Sequence, residues 1–292
     1  GLHDIPLALV TGTNGKTTTT RLIAAMAEAA GKVAGLSSTD GVRVGRDYLD
    51  RGDYSGPQGA RMLLSDPRLE VGVLEVARGG ILRRGLPVTR ARAAVVTNVA
   101  ADHLGQYGIM TVPELARVKL AIRLGLAPGG LLILNADDPP LVEAARAIDC
   151  RTAWFAFDPG HPLIRAARGA DHPCAFVEAG RIILSDGHVV TPLIAVAEVP
   201  LTLSGAARYN IENALGAALA ARALGLPDAA IRAALASFRS DVRDNPGRAN
   251  EFSVRGARVF VDFAHNPHSI AAVTSALAAV PAPTAMVTGR QT

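Results

Sequence analysis

Apolar and polar residues along this chain fall into short runs whose period keeps changing. Leu7–Thr11 (LALVT) is a continuous apolar run of strand length. A Gly-rich turn follows it, then helical spacing over Thr17–Ala30, closed by Gly31. Val71–Ala77 (VGVLEVA) and Ala93–Val99 (AAVVTNV) repeat the strand pattern. Helical spacing returns over Val112–Leu124, and Pro128–Gly129 separates it from a further strand, Leu131–Asn135. Apolar strands alternating with helices predict an α/β fold built on a mostly parallel sheet.

The texture changes from Ala153 to about Leu203, where short apolar stretches sit between Gly, Asp and Pro turns. This predicts a small antiparallel addition. Two helical segments follow, Tyr209–Leu224 and Asp228–Phe238, and Arg243–Arg248 (RDNPGR) reads as a linker. Beyond it a new pattern starts: strand VFVDF, helix Pro267–Val280, strand TAMVTG. The expected organisation is one domain over 1–247 and an incomplete second domain over 248–292.

Composition changes this picture little. Hydrophobic residues make up 49% and charged residues 19%, enough apolar surface for a sizeable core and too much for a disordered chain. With aromatics at only 4%, that core is expected to be Ala, Val, Leu and Ile. The net charge of +4 comes from scattered arginines without aromatic interleaving, so nucleic acid is not an expected partner and an anionic substrate is. The two cysteines, Cys150 and Cys174, lack metal-ligand spacing, which speaks against structural zinc. No apolar run reaches membrane-span length and no leader pattern opens the chain, so the expected compartment is the cytoplasm. A homo-oligomer is left open.

The strongest local signal is LALVTGTNGKTTTT, a strand running into a Gly-rich turn and then a helix. Backbone N–H groups of such a turn point at a phosphate, and the helix N-terminus favours negative charge. Lys16 is placed to reach the β- and γ-phosphates of ATP, and the Thr17 hydroxyl to ligate magnesium. Gly12, Thr13, Asn14, Gly15 and Thr18 complete the loop. The usual spacing asks for glycine at position 10, where this chain has Val10, so the loop is a variant. Glu75 ends the second strand and is a candidate magnesium ligand at the carboxyl edge of the sheet.

TGTNGKTTT resembles the ATP loop of the Mur ligase superfamily, whose members phosphorylate a carboxylate with ATP and let an amine displace the phosphate. The resemblance runs from about Ile5 to Gly289 and implies a Mur-ligase central domain followed by the start of a Rossmann-like C-terminal domain. TNVAADHLG is similar to the family segment that brings Asn98, Asp102 and His103 to the same edge, with His103 implied as a second magnesium ligand. Lys119 matches a lysine that the family carbamylates; a surface lysine on an amphipathic helix is the alternative. ARYNIENALGAALAA resembles the helix that meets adenine, which implies Asn213 and also Asn210, although helix capping would explain Asn210 as well. Arg248 matches an arginine that touches ATP phosphates. Asp262, with His265, Asn266 and Pro267, resembles the nucleotide-contacting motif that opens the C-terminal domain.

The stretch EVARGGILRRG is very similar to the Mur-like domain of cyanophycin synthetases, which attach arginine to the side-chain carboxylates of a polyaspartate chain. That resemblance implies an arginine-lined loop for an acidic polymer: Arg78, Arg83 and Arg84, with Arg51 and Arg61 as further candidates. A different carboxylate acceptor, such as a peptidoglycan precursor or a polyglutamyl chain, remains an alternative, as does a non-catalytic ATP-binding module. Those synthetases are much longer and carry an ATP-grasp domain that has no counterpart here. The short C-terminal piece leads to the expectation that this chain binds nucleotide but ligates poorly.

Overall fold

The computed structural model describes residues 5–280 together with the backbone of strand Thr284–Thr288; Gly1–Asp4 and Gly289–Thr292, the last including the expected end of the family resemblance, lie outside the described residues. Eleven strands form one sheet. In chain order they are β1 (Leu7–Thr11), β2 (Ala34–Ser38), β3 (Gly41–Val44), β4 (Asp47–Asp50), β5 (Val71–Glu75) and β6 (Ala91–Val96). After these come β7 (Leu126–Asn135), β8 (Thr152–Phe155), β9 (Cys174–Glu178), β10 (Arg181–Ser185) and β11 (Val190–Ala195). Their spatial order is β11-β10-β9-β8-β7-β6-β1-β5-β2-β3-β4. The seven strands from β9 to β2 pair in parallel, and antiparallel strands extend both edges.

Parallel pairing needs crossovers, and helices supply them. They are α1 (Lys16–Ala29), α2 (Pro57–Leu64), α3 (Arg78–Arg84), α4 (Val112–Leu120), α5 (Pro139–Ala145) and α6 (Pro162–Gly169); α7 (Arg208–Ala223) and α8 (Asp228–Ser237) follow the last strand of this sheet and pack on it. The central strands bury both faces. Ala8, Val10, Val73 and Val95 pack with Leu22 and Ile23 of α1 and with Ala214 and Leu215 of α7. Leu9, Leu74, Ala94 and Val96 pack with Leu115, Leu120 and Ile122 on the other side. Every residue of β1 and β5 is buried, so these strands read as continuous apolar runs.

A second, three-stranded sheet is made of β12 (Asn250–Val254), β13 (Ala257–Asp262) and β14 (Thr284–Thr288), with α9 (Pro267–Ala278) between the last two. Phe260, Ala264, Val273 and Leu277 form its core, and Leu203 and Tyr209 of the larger body pack against it.

Several boundaries differ from the sequence pattern, for physical reasons. The strand expected over Ala93–Val99 ends at Val96 because Thr97 and Asn98 turn their hydrogen bonds to the phosphate loop. The helix expected to Leu124 tightens into a 3₁₀ turn over Ala121–Gly125. β8 and β9 join the parallel part, so the antiparallel addition on that side starts only at β10. Arg78–Arg84, read as a loop, is the helix α3. The segment read as a linker is docked: Asn245 is buried and donates to Thr18 Oγ1 at 3.2 Å, and Arg21 donates to the Asp244 carbonyl at 3.2 Å. Among the described residues no helix is long and apolar enough to cross a membrane.

Candidate functional site

The register places Val10 opposite Glu75 on one side and Val95 on the other, so the carboxyl ends of β1, β5 and β6 form one edge. The turn after β1 needs glycine at two places. Gly12 (φ 150°) and Gly15 (φ 83°) have backbone that side chains disfavour, and a Cβ would overlap Thr97 Oγ1 at the first and Asn213 Oδ1 at the second. The turn is held from the β6 side. Thr13 N donates to the Asn98 carbonyl at 2.9 Å and Asn14 N to Asn98 Oδ1 at 2.9 Å, while Thr97 Oγ1 donates to the Asn14 carbonyl at 2.6 Å. Asn98 is thus a clamp on this Gly-rich turn.

Lys16 Nζ donates to the Thr13 carbonyl at 2.8 Å. Burial lowers its pKa, opposed mainly by Glu75 and Asp102. Thr17 Oγ1 donates to Glu75 Oε2 at 2.9 Å. Glu75 is 1% exposed, and its other oxygen, Oε1, is buried without a hydrogen-bond partner among the described residues. Burial raises the Glu75 pKa against the opposing pull of Lys16 and the Thr17 hydrogen bond. An orphaned carboxylate oxygen beside a threonine hydroxyl is an all-oxygen donor set, the chemistry magnesium prefers. The residues therefore fit that ion.

His103 lies in left-handed backbone (φ 51°) after β6. Its Nε2 is 3.8 Å from Asp102 Oδ1. His265, from the second sheet's body, joins them: the ligand atoms of Asp102, His103 and His265 lie within 4.8 Å of one another. The sequence placed His265 only inside a motif, since nothing local ties it to residues so far upstream. Lys119 is 4% exposed, which contradicts the surface-lysine alternative. Burial holds its amine well below the usual lysine range. Lys16 and Arg78 push it further down, and Asp102 and Asp138 push it up.

Asn213 and Asn210 are buried on α7. Asn213 Nδ2 donates to Asn210 Oδ1 at 3.1 Å, and Thr19 Oγ1 donates to Asn213 Oδ1 at 3.4 Å. Asn210 does not cap its helix. The cap position is Ala207, and the Asn210 amide reaches the Leu201 carbonyl at 2.9 Å. Asp262 accepts from Ala249 N at 2.7 Å and Ala264 N at 2.6 Å, yet burial still raises its pKa. Arg248 lies over the Phe263 ring at 4.7 Å. The two bodies also meet through paired amides: Asn266 Nδ2 donates to Asn14 Oδ1 at 2.9 Å, and Asn14 Nδ2 to Asn266 Oδ1 at 3.4 Å.

Two cavities result. A pocket of about 150 Å³ is lined by the loop from Thr13 to Thr18, by Glu75, Tyr209, Asn210 and Asn213, and by Arg248 and Asp262. A cleft of about 880 Å³ adjoins it through Lys16, Arg248 and Asp262 and reaches Asp53, Arg78, Arg83, Asp102, His103, Tyr107 and Lys119. Arg84, Arg51 and Arg61 lie outside that lining. Once Arg78–Arg84 is helical, neighbouring side chains diverge by roughly 100°, so Arg83 and Arg84 point apart. Arg51 stacks instead over Tyr48 at 4.0 Å.

Residues 10–221 match the Mur ligase middle domain. The chain is 42% identical over 269 residues to the cyanophycin synthetase of Trichormus variabilis, covering 92% of this chain and 30% of that protein. It is 33% identical over 264 residues to the UDP-N-acetylmuramoylalanine–D-glutamate ligase of Frankia casuarinae, covering 90% of this chain and 48% of that one. The chain thus spans about a third of the length of the cyanophycin synthetases it matches. Among solved structures, E. coli FolC in complex with DHPP and ADP superimposes with a TM-score of 0.68 at 26% identity, covering 96% of this chain and 67% of that chain. MurF from Acinetobacter baumannii shares the fold, with a TM-score of 0.62 at 19% identity over 96% of this chain and 55% of that chain.

Proposed function

The chain belongs to the Mur ligase family, and on that premise we propose that it binds ATP and magnesium and activates a carboxylate as an acyl phosphate, which an amine converts to an amide. The observation that carries this reading is the Thr17–Glu75 pair under the Gly-rich loop, with Glu75 Oε1 left without a hydrogen-bond partner among the described residues, in the smaller pocket that adjoins the cleft. When bound, magnesium would neutralise phosphate charge there, held by Thr17 and Glu75, with His103 and a carbamylated Lys119 for a second ion.

The chain's own residues supply the rest. Backbone N–H groups of Gly15 to Thr17 and the Lys16 amine hold the phosphates. Asn213 and Asn210 face the base, their amides offering both donors and acceptors. Arg248 and Asp262 close over the nucleotide from the second body, where exclusion of water protects an acyl phosphate. A carboxylate oxygen of the acceptor attacks the γ-phosphorus and ADP leaves. The amine nitrogen then attacks the acyl carbon, phosphate leaves with that oxygen, and the amine gives up a proton.

The acceptor we propose is an aspartate-rich chain and the amine that of arginine. Two features support this: the likeness to cyanophycin synthetases, and the presence in the cleft of Arg78 and Arg83, neither of which forms an ion pair among the described residues. The test supplies MgATP and arginine with polyaspartate, polyglutamate or a folate. ADP and amide formed selectively with polyaspartate is the expected result. Equal turnover with the other acids would overturn the assignment of the acceptor.

A further inference from the structure

The turn between β6 and α4 has a construction that nucleotide binding does not explain. Within six residues it holds four with left-handed backbone: His103 (φ 51°), Gly105 (φ 87°), Tyr107 (φ 58°) and Gly108 (φ 74°). Such backbone is uncommon for any residue with a Cβ and more so for a bulky one, so it persists where surrounding contacts hold it. Yet among the described residues the Tyr107 side chain joins no hydrophobic core, and the residue is 50% exposed. What its ring meets is charge. The Arg78 guanidinium carbon is 5.7 Å from the ring centroid and that of Arg83 is 5.6 Å from it.

Both arginines come from α3, and each is tethered further by hydrogen bonds. Arg78 donates to the His103 carbonyl at 2.8 Å and to Gln106 Oε1 at 2.8 Å; Arg83 Nε donates to the Gly79 carbonyl at 3.1 Å. These acceptors are neutral, and neither guanidinium forms an ion pair among the described residues. Two like charges that share one ring repel each other unless something favours the pair. The negative face of an aromatic ring does so, and it leaves guanidinium N–H groups free for a ligand.

We propose that Tyr107 is a positioning residue, whose ring holds the Arg78 and Arg83 guanidinium groups near one another so that together they receive two carboxylates of a polyacidic acceptor. This rests on reading the larger cleft as the acceptor site. Holding both cations in place beforehand removes ordering entropy from binding, so the gain appears for ligands with several carboxylates and not for those with one.

The test titrates an oligo-aspartate peptide and a peptide with a single carboxylate into the 292-residue chain and two variants, with ATP affinity measured on each. Tyr107→Asn removes the ring while tolerating left-handed backbone. Tyr107→Phe keeps the ring. Loss of two exposed cation–π contacts predicts oligo-aspartate binding about fivefold weaker or more in Tyr107→Asn, against a change within about twofold in Tyr107→Phe. The single-carboxylate peptide and ATP should bind all three proteins alike, and the loss should shrink as salt rises. Oligo-aspartate affinity equal to wild type in Tyr107→Asn would overturn the proposal, as would an equal loss in Tyr107→Phe. If the wild-type chain binds ATP but no oligo-aspartate, the acceptor reading itself fails, and this role for Tyr107 with it.

Discussion

Gly15→Ala tests the central packing of the site. Gly15 has φ 83°, and a Cβ there would overlap Asn213 Oδ1 and come within 3.0 Å of Asn213 Cγ. Left-handed backbone costs a residue with a Cβ about 1–2 kcal/mol. The Asn213 amide must also move, which loosens its hydrogen bonds with Thr19 (3.4 Å) and Asn210 (3.1 Å), each worth about 1 kcal/mol. The sum, about 2–4 kcal/mol, is large for a single exchange that adds one methyl group. It divides cleanly by a double-mutant cycle. In an Asn213→Ala background the overlap is gone and only the backbone cost remains, so urea unfolding should give a coupling of about 1–2 kcal/mol between the two sites. A coupling below about 0.5 kcal/mol would refute the contact between loop and helix. An unchanged stability in Gly15→Ala alone would refute the left-handed turn.

Other outcomes follow from the same geometry. Lys16→Ala should lose a charge-assisted phosphate contact worth about 1.5–3 kcal/mol; equal ATP affinity by calorimetry would remove Lys16 from the site. Lys119 is buried with a lowered pKa, so between its folded and unfolded values the unfolded chain binds the extra proton and stability rises with pH, by at most about 1.4 kcal/mol per pH unit. In carbonate-free buffer the stability advantage of Lys119→Met over wild type should therefore shrink on going from neutral to alkaline pH; a constant difference contradicts the burial. With labelled bicarbonate and magnesium, a carbamate signal should appear in wild type and vanish in Lys119→Met. Arg83→Ala should weaken an aspartate-rich peptide at low salt while Arg84→Ala leaves it unchanged, because only Arg83 lines the cleft; equal losses would contradict the orientation of α3.

What the sequence disclosed was whatever it encodes locally. The phosphate loop is contiguous, and its strand, turn and helix are each set by neighbouring residues. Glu75 was legible because an apolar run ended in a carboxylate. Arg78–Arg84 was misread as a loop because two glycines and three arginines carry no apolar stripe, and its residues are not buried. The burial of Lys119 depends on α4 packing on the sheet, where Leu115 and Leu120 meet Leu9 and Leu74, which no periodicity in ARVKLAI reports. His265 meets Asp102 and His103 across more than 150 positions of chain, and the Asn14–Asn266 amide pair across 252, so both are properties of how two bodies dock. Asn245 shows the same limit. RDNPGR has linker composition, and only the structure shows its asparagine buried against α1.

In the proposed reaction the acceptor's own carboxylate takes the phosphoryl group. The direct measurement supplies an aspartate-rich peptide whose carboxylate oxygens carry a heavy isotope, together with MgATP and hydroxylamine as a small nucleophile. The expected result is hydroxamate on the peptide, ADP as the nucleotide product, and one heavy oxygen in each phosphate released with hydroxamate formation. Phosphate free of the label, or label in AMP, would contradict it.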